Sequence, residues 1–118
     1  MEKQRFALEF RKSGKLQVVS FSGFLTNGLT ESLLPEIEKN LADGTLKYLF
    51  DFSGVTMLES PAVAVLLTVT EKIVDEYNGE LSFCNLNEMA GKVLEMVGVF
   101  LYAGRYETEA EATADMGD

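Results

Sequence analysis

Histidine and tryptophan are absent from this 118-residue chain, and it holds one cysteine, two prolines and only ten basic residues. Each scarcity removes a class of chemistry. Without histidine there is no histidine-based triad, no imidazole metal ligand and no side chain whose ordinary pKa shuttles protons at neutral pH. The lone thiol, Cys84, makes neither an internal disulfide nor a multi-thiolate metal site. Its setting, Leu81-Ser82-Phe83-Cys84, reads as a strand in which cysteine serves as a small buried apolar residue. No apolar stretch is long enough to cross a bilayer. The start, Met1-Glu2-Lys3-Gln4-Arg5, has no apolar core behind its charges, so no secretory leader is expected and the cytoplasm is the expected location.

Ten Lys and Arg against nineteen Asp and Glu leave a formal charge of -9, which repels nucleic-acid phosphates and anionic lipid surfaces. Direct nucleic-acid binding and membrane insertion are therefore excluded from the expectations. A charge far from zero also keeps a protein dispersed, which accounts for most of these carboxylates. No cofactor or metal is expected and no small-molecule substrate is identified; binding of a small ligand or nucleotide is a third possibility, for which the sequence offers neither a basic cluster nor a Gly-rich phosphate loop.

What remains is ordinary for a globular chain: 47% hydrophobic and 25% charged residues over a length suited to a single domain, residues 1–118. Phe6-Ala7-Leu8-Glu9-Phe10 alternates with period two, and Leu16-Gln17-Val18-Val19-Ser20-Phe21 follows a Ser13-Gly14 turn signal, predicting a hairpin. Leu29, Leu33, Ile37 and Leu41 recur every four residues, one face of a helix. Pro35 either sits in the first turn of that helix, after a cap at Thr30 or Ser32, or bends it. Leu46-Lys47-Tyr48-Leu49-Phe50-Asp51-Phe52 is almost continuously apolar, as in a strand covered on both faces.

Ser60 stands before Pro61, a residue preorganised for the first helical position, so Ser60 is expected to cap a helix running through Val63, Leu66, Leu67, Thr70, Ile73 and Val74 to an Asn78-Gly79 stop. A strand over residues 80–84 is followed by a helix capped by Asn87 and ended by Gly98. Val99-Phe100-Leu101 reads as the last strand. Thr108 is placed to cap a short terminal helix with little apolar surface, whose end is expected to fray and to leave the last few residues disordered. The order ββαβαβαβα predicts an α/β fold, a mixed sheet of about five strands with about four helices.

The segment Phe50-Asp51-Phe52-Ser53-Gly54-Val55-Thr56-Met57-Leu58-Glu59-Ser60, followed by a long apolar helix, resembles the signature of the STAS domain. Gly23 and Leu25, Val93-Leu94 with Gly98, and Thr108-Glu109-Ala110-Glu111-Ala112 match it in the same register, so the resemblance spans nearly the whole chain. In the anti-sigma factor antagonists of this family, a partner serine kinase phosphorylates the serine at the start of the second helix, and only the unmodified form binds that partner. The resemblance implies that Ser60 is this serine. It also implies a non-enzymatic module whose partner is an anti-sigma factor/serine kinase or a STAS-containing signalling complex. Other relatives serve as parts of anion or lipid transport complexes. The chain departs from the usual pattern at Glu59, where an aspartate is common, at Pro61-Ala62-Val63-Ala64, where glycines are common, and at Thr26-Asn27, where the antagonists carry an aspartate.

Taken alone, a serine before a helical proline needs no role beyond a helix cap, which contributes about 1 kcal/mol. With the resemblance, Ser60 is the expected phosphorylation site and Thr26, Asn27, Ser53, Glu59, Pro61, Ala62 and Val63 the expected partner contacts around it. Asp51 is expected at the exposed end of its strand, shaping the same site. Asp51 and Glu59 are not read as a catalytic pair, because no nucleophile-base pair or metal cluster accompanies them.

Overall fold

The computed structural model describes residues 5–117. Residues 1–4, on which the expectation about a leader bears, and residue 118 lie outside them. Five strands form one sheet in sequence order: β1 (Phe6–Ser13), β2 (Leu16–Leu25), β3 (Lys47–Leu58), β4 (Glu80–Cys84) and β5 (Gly104–Tyr106). β1 and β2 pair antiparallel around the Gly14 turn, and every later pairing is parallel. Between them lie α1 (Leu29–Ser32), α2 (Leu34–Ala42), α3 (Ser60–Glu71) and α4 (Glu88–Met96), and α5 (Glu109–Met116) follows β5. This is the mixed α/β arrangement expected, with the first helix broken in two. Pro35 occupies the first turn of α2 and lacks the amide a continuous helix needs at that point; neither Thr30 nor Ser32 caps it.

The near-continuous apolar run of β3 is explained by burial on both faces. Its Tyr48, Phe50, Phe52 and Val55 join the main core with Val19, Phe21 and Phe83 and the apolar sides of α1 to α4. Leu49 turns the other way, into a smaller core with Leu16, Val18, Cys84, Ala112 and Met116 beneath α5. The terminal helix is therefore longer and better held than its composition suggested: Ala112 and Met116, one turn apart, are both buried, and Arg11 makes a two-pronged ion pair to Glu109 at 2.9 and 2.8 Å. Thr108 caps it as expected, its hydroxyl accepting from the Glu111 amide at 3.1 Å.

Asn87 caps α4 through the Ala90 amide at 2.8 Å, and Gly98 ends the turn with a left-handed φ of 87°. Beyond Gly98 the expectation of a strand is wrong. Val99–Leu101 is one 3-10 turn, with Val99 buried and Leu101 88% exposed. A three-residue apolar run does not separate strand from turn by periodicity, and the actual last strand is the polar edge Gly104–Tyr106. α3 likewise runs on through a π-helical turn, Lys72–Glu76, before Asn78 takes a left-handed φ of 58°.

Candidate functional site

β3 does not end at Phe52, as its apolar run implied; it continues to Leu58, and its register against β2 shifts between Ser20 and Ser22 and again between Gly23 and Phe24. A β-bulge re-aims the side chains that follow it. Gly54 is needed here because a Cβ on it would lie 2.7 Å from the Ser22 Cβ. Ser53, two residues beyond Asp51, lies on the same face of the sheet and joins Asp51 and not Ser60.

Asp51 is the main correction to the expected site. It is 8% exposed and lies within β3, between Phe50 and Phe52, whose side chains enter the main core; strand alternation turns Asp51 to the opposite face. Its carboxylate accepts from the Ser53 amide at 3.0 Å and from Asn85 Nδ2 at 2.8 Å, with the Ser53 hydroxyl at 3.4 Å. It thus stabilises the bulge and the left-handed Asn85 (φ 57°), both beside Cys84. Burial, with Asp51 adding to it, pushes the Cys84 thiol up to about 12, so it stays protonated and unreactive at neutral pH. Ser20, Ser22, Glu9 and Gly54, with Ala7, Leu8 and Phe21, complete an open cavity of mixed lining, about 250 Å3, around Asp51 and Ser53. Seven residues of strand, roughly 20 Å, separate Asp51 from the end of β3.

At that end the loops after β2 and β3 are joined. Leu25 and Leu58 pair, the Glu59 amide donates to the Leu25 carbonyl at 3.0 Å, and the Asn27 amide donates to Glu59 Oε2 at 3.1 Å. Thr26 folds its own loop, its Oγ1 accepting from the Gly28 amide at 3.2 Å. Thr26, Asn27, Glu59, Ser60 and Pro61 therefore form one surface at the carboxyl ends of two parallel strands, the edge at which open α/β sheets characteristically bind.

Ser60 is not the cap of α3. Glu59 holds the extended cap conformation (φ -94°, ψ 162°), and its carbonyl receives the Ala62 and Val63 amides at 2.9 and 3.2 Å. Ser60 is the first helical residue and Pro61 the second; either order satisfies a proline that has no amide to lose. The Ser60 hydroxyl is exposed and has no hydrogen-bond partner among the described residues. Ser60→Ala should accordingly leave stability within about 0.5 kcal/mol of the parent, where a true cap would lose about 1. Urea unfolding of the two chains measures this, and a loss of 1 kcal/mol or more would restore the capping role.

Ala62 (0% exposed) and Val63 (7%) face the main core and offer a partner no surface, contrary to expectation. The helical turn puts Ser60, Pro61 and Ala64 outward instead, and Met57, 48% exposed, stands on the strand leading in. Sequence reasoning passed over Met57 and Ala64. Counting 3.6 residues per turn back from Leu66 and Val69 identifies Ala64 as outward; nothing in the sequence announces the bulge that exposes Met57.

A five-stranded mixed sheet with an exposed serine opening the helix after β3 defines an α/β domain. The chain belongs to the STAS domain family, whose model matches residues 7–112. No curated protein sequence matches it. Among solved structures it is similar to the Bacillus cell fate determinant SpoIIAA in its phosphorylated form, with a TM-score of 0.77 at 18% identity over 94% of this chain and 100% of the other. An anti-sigma factor antagonist from Mycobacterium paratuberculosis gives a TM-score of 0.79 at 21% identity over 96% and 95%. A murine anion transporter of the Solute Carrier 26 family gives 0.60 at 13% identity, covering 91% of this chain but 19% of the transporter.

Proposed function

We propose that the chain is a cytoplasmic phospho-switch of the anti-sigma factor antagonist kind, binding an anti-sigma factor with serine kinase activity while Ser60 is unmodified and releasing it once Ser60 is phosphorylated. The observation that supports this most is the placement of Ser60: an exposed, unengaged hydroxyl at the first residue of α3, at the centre of the surface made by Thr26, Asn27, Glu59 and Pro61. A kinase has to draw the serine into its own site, and a hydroxyl free of internal bonds gives up nothing to leave. A phosphate there brings close to two negative charges, and the adjacent helix N-terminus offsets part of the cost by about 0.3 to 1 kcal/mol. The fold therefore tolerates the modification while a tightly packed partner does not. The known states of SpoIIAA, solved both phosphorylated and unphosphorylated, lend the reading a precedent in a similar fold.

Incubation with the cognate kinase and ATP, followed by intact-mass spectrometry, is expected to show one added phosphate, lost in Ser60→Ala. Unchanged mass, or a phosphate elsewhere, would sink the proposal.

The partial match to a murine anion transporter favours one second reading, in which the same surface holds the chain in a membrane transport complex without phosphorylation. Co-purification with transporter subunits that is indifferent to Ser60→Asp is the result that would select it.

A further inference from the structure

The two edges of the sheet differ. β5 spans Gly104–Tyr106, too short to offer a neighbouring chain much to pair with. β1 spans Phe6–Ser13 and is matched residue for residue to β2 without a bulge. It contains neither proline nor glycine, so of the usual devices that blunt a sheet edge it carries only charged side chains.

The Phe24 amide donates to the Arg5 carbonyl at 3.0 Å, and the register continues unbroken from Phe6 opposite Gly23 to Ser13 opposite Leu16. Antiparallel neighbours exchange hydrogen bonds at every second residue. The odd-numbered residues therefore carry the ladder to β2, and Phe6, Leu8, Phe10 and Lys12 turn their N–H and C=O groups away from it. No strand among the described residues meets those groups.

This edge is self-complementary in one register. Two copies of β1 related by a two-fold axis pair antiparallel, and their outward groups meet when even-numbered residues oppose even-numbered ones. An axis through Glu9 sets Glu9 against Glu9, one through Arg11 sets Arg11 against Arg11, and one through Leu8 sets Arg5 against Arg11; like charges directly opposite are destabilising. An axis through Phe10 sets Glu9 opposite Arg11 twice on one face. On the other it sets Phe10 against Phe10 and Leu8 against the apolar stem of Lys12. Arg11 holds Glu109 through Nη2, which leaves the donors on Nε and Nη1, and Glu9 is exposed and in no ion pair among the described residues. Leu8 and Phe10 pack against the main core and are still half-buried, keeping apolar surface uncovered.

We propose that the chain forms a homodimer by antiparallel pairing of β1 with β1 of a second copy, in the register centred on Phe10, so that the two sheets become one. The join points the carboxyl ends of β2 and β3 in opposite directions in the two copies, which leaves both Ser60 surfaces open. A single strand pair is a small interface, so the dimer is expected to form in the micromolar range.

Sedimentation velocity of the full chain, loaded from micromolar to millimolar, tests this. The mass is expected to double from 13.0 kDa as the concentration rises. Glu9→Arg and Arg11→Glu should each remain monomeric, and an equimolar mixture of the two should dimerise again, because each supplies the charge the other lacks. Lys12→Pro removes an outward N–H and leaves the ladder to β2 intact, and it should weaken the dimer about tenfold. Leu101→Ser, at an apolar side chain 88% exposed away from this edge, and Ser60→Asp should leave the doubling unchanged. Circular dichroism verifies the fold of each variant. A monomer at every concentration, or a dimer that survives both Glu9→Arg and Lys12→Pro, would overturn the proposal, as would one lost in Leu101→Ser.

Discussion

Phosphorylation of Ser60 should weaken partner binding by about two orders of magnitude, and Ser60→Asp by about one, with the fold unchanged in both. A partner closing over Ser60, Pro61 and Asn27 excludes water from the new charge and from Glu59, whose carboxylate is held in place by the Asn27 amide. Like charges brought together in an interface cost several kcal/mol, and a cost of roughly 3 kcal/mol corresponds to about a hundredfold in affinity. Aspartate carries one charge where phosphate carries nearly two and is smaller, hence the lesser effect. Isothermal titration of parent, phosphoprotein and Ser60→Asp against the proposed anti-sigma partner measures the ratios, with circular dichroism to verify the fold. Ser60→Ala should bind as the parent does. Equal affinity in parent and phosphoprotein would remove the switch, whatever the kinase does.

A second large effect is expected far from that surface. Phe83→Ala should cost about 3–5 kcal/mol, a major part of the 5–15 kcal/mol typical of a whole domain. Phe83 is wholly buried and its ring meets Phe50 at 5.4 Å, Phe52 at 5.5 Å and Phe100 at 6.0 Å, all near edge-on. Phe21 closes the group, 5.1 and 4.8 Å from the rings of Phe50 and Phe52. With Phe50 and Phe52 fixed on β3 and backed by Phe21 on β2, the vacated space cannot collapse, so a cavity adds to the lost transfer energy. Urea denaturation with a common m-value is the measurement; a loss under about 1.5 kcal/mol would mean the cluster relaxes into the gap.

Much of this architecture can be read directly from local chemistry. Asn87 and Thr108 each have a side chain that can hold the third amide beyond them, and both do. The run from Tyr48 to Phe52 is apolar but for Asp51, because both faces of β3 are covered there. The misreadings arise where two solutions share one local pattern. Pro61 fits the second helical position as well as the first, which moves Ser60 from cap to first turn. The expected short, fraying terminal helix missed Ala112 and Met116, whose four-residue spacing is a sufficient stripe once a strand face lies beneath it. Asp51 was legible in principle: if Phe50 and Phe52 face one core, the residue between them cannot face α3. The bulge near Ser53 was not, since it depends on the register of strands that meet only in the folded chain.

The sheet's strand order, identical to the order of synthesis, bears on how the chain reaches this state. No strand has to be threaded between two that are already paired. The hairpin closes locally, and each later strand docks on the edge its predecessor has just presented, which keeps the loop-closure cost of every step small. Assembly can therefore proceed from the amino end while the remainder is still emerging from the ribosome, with α5 arriving last to seal the second face.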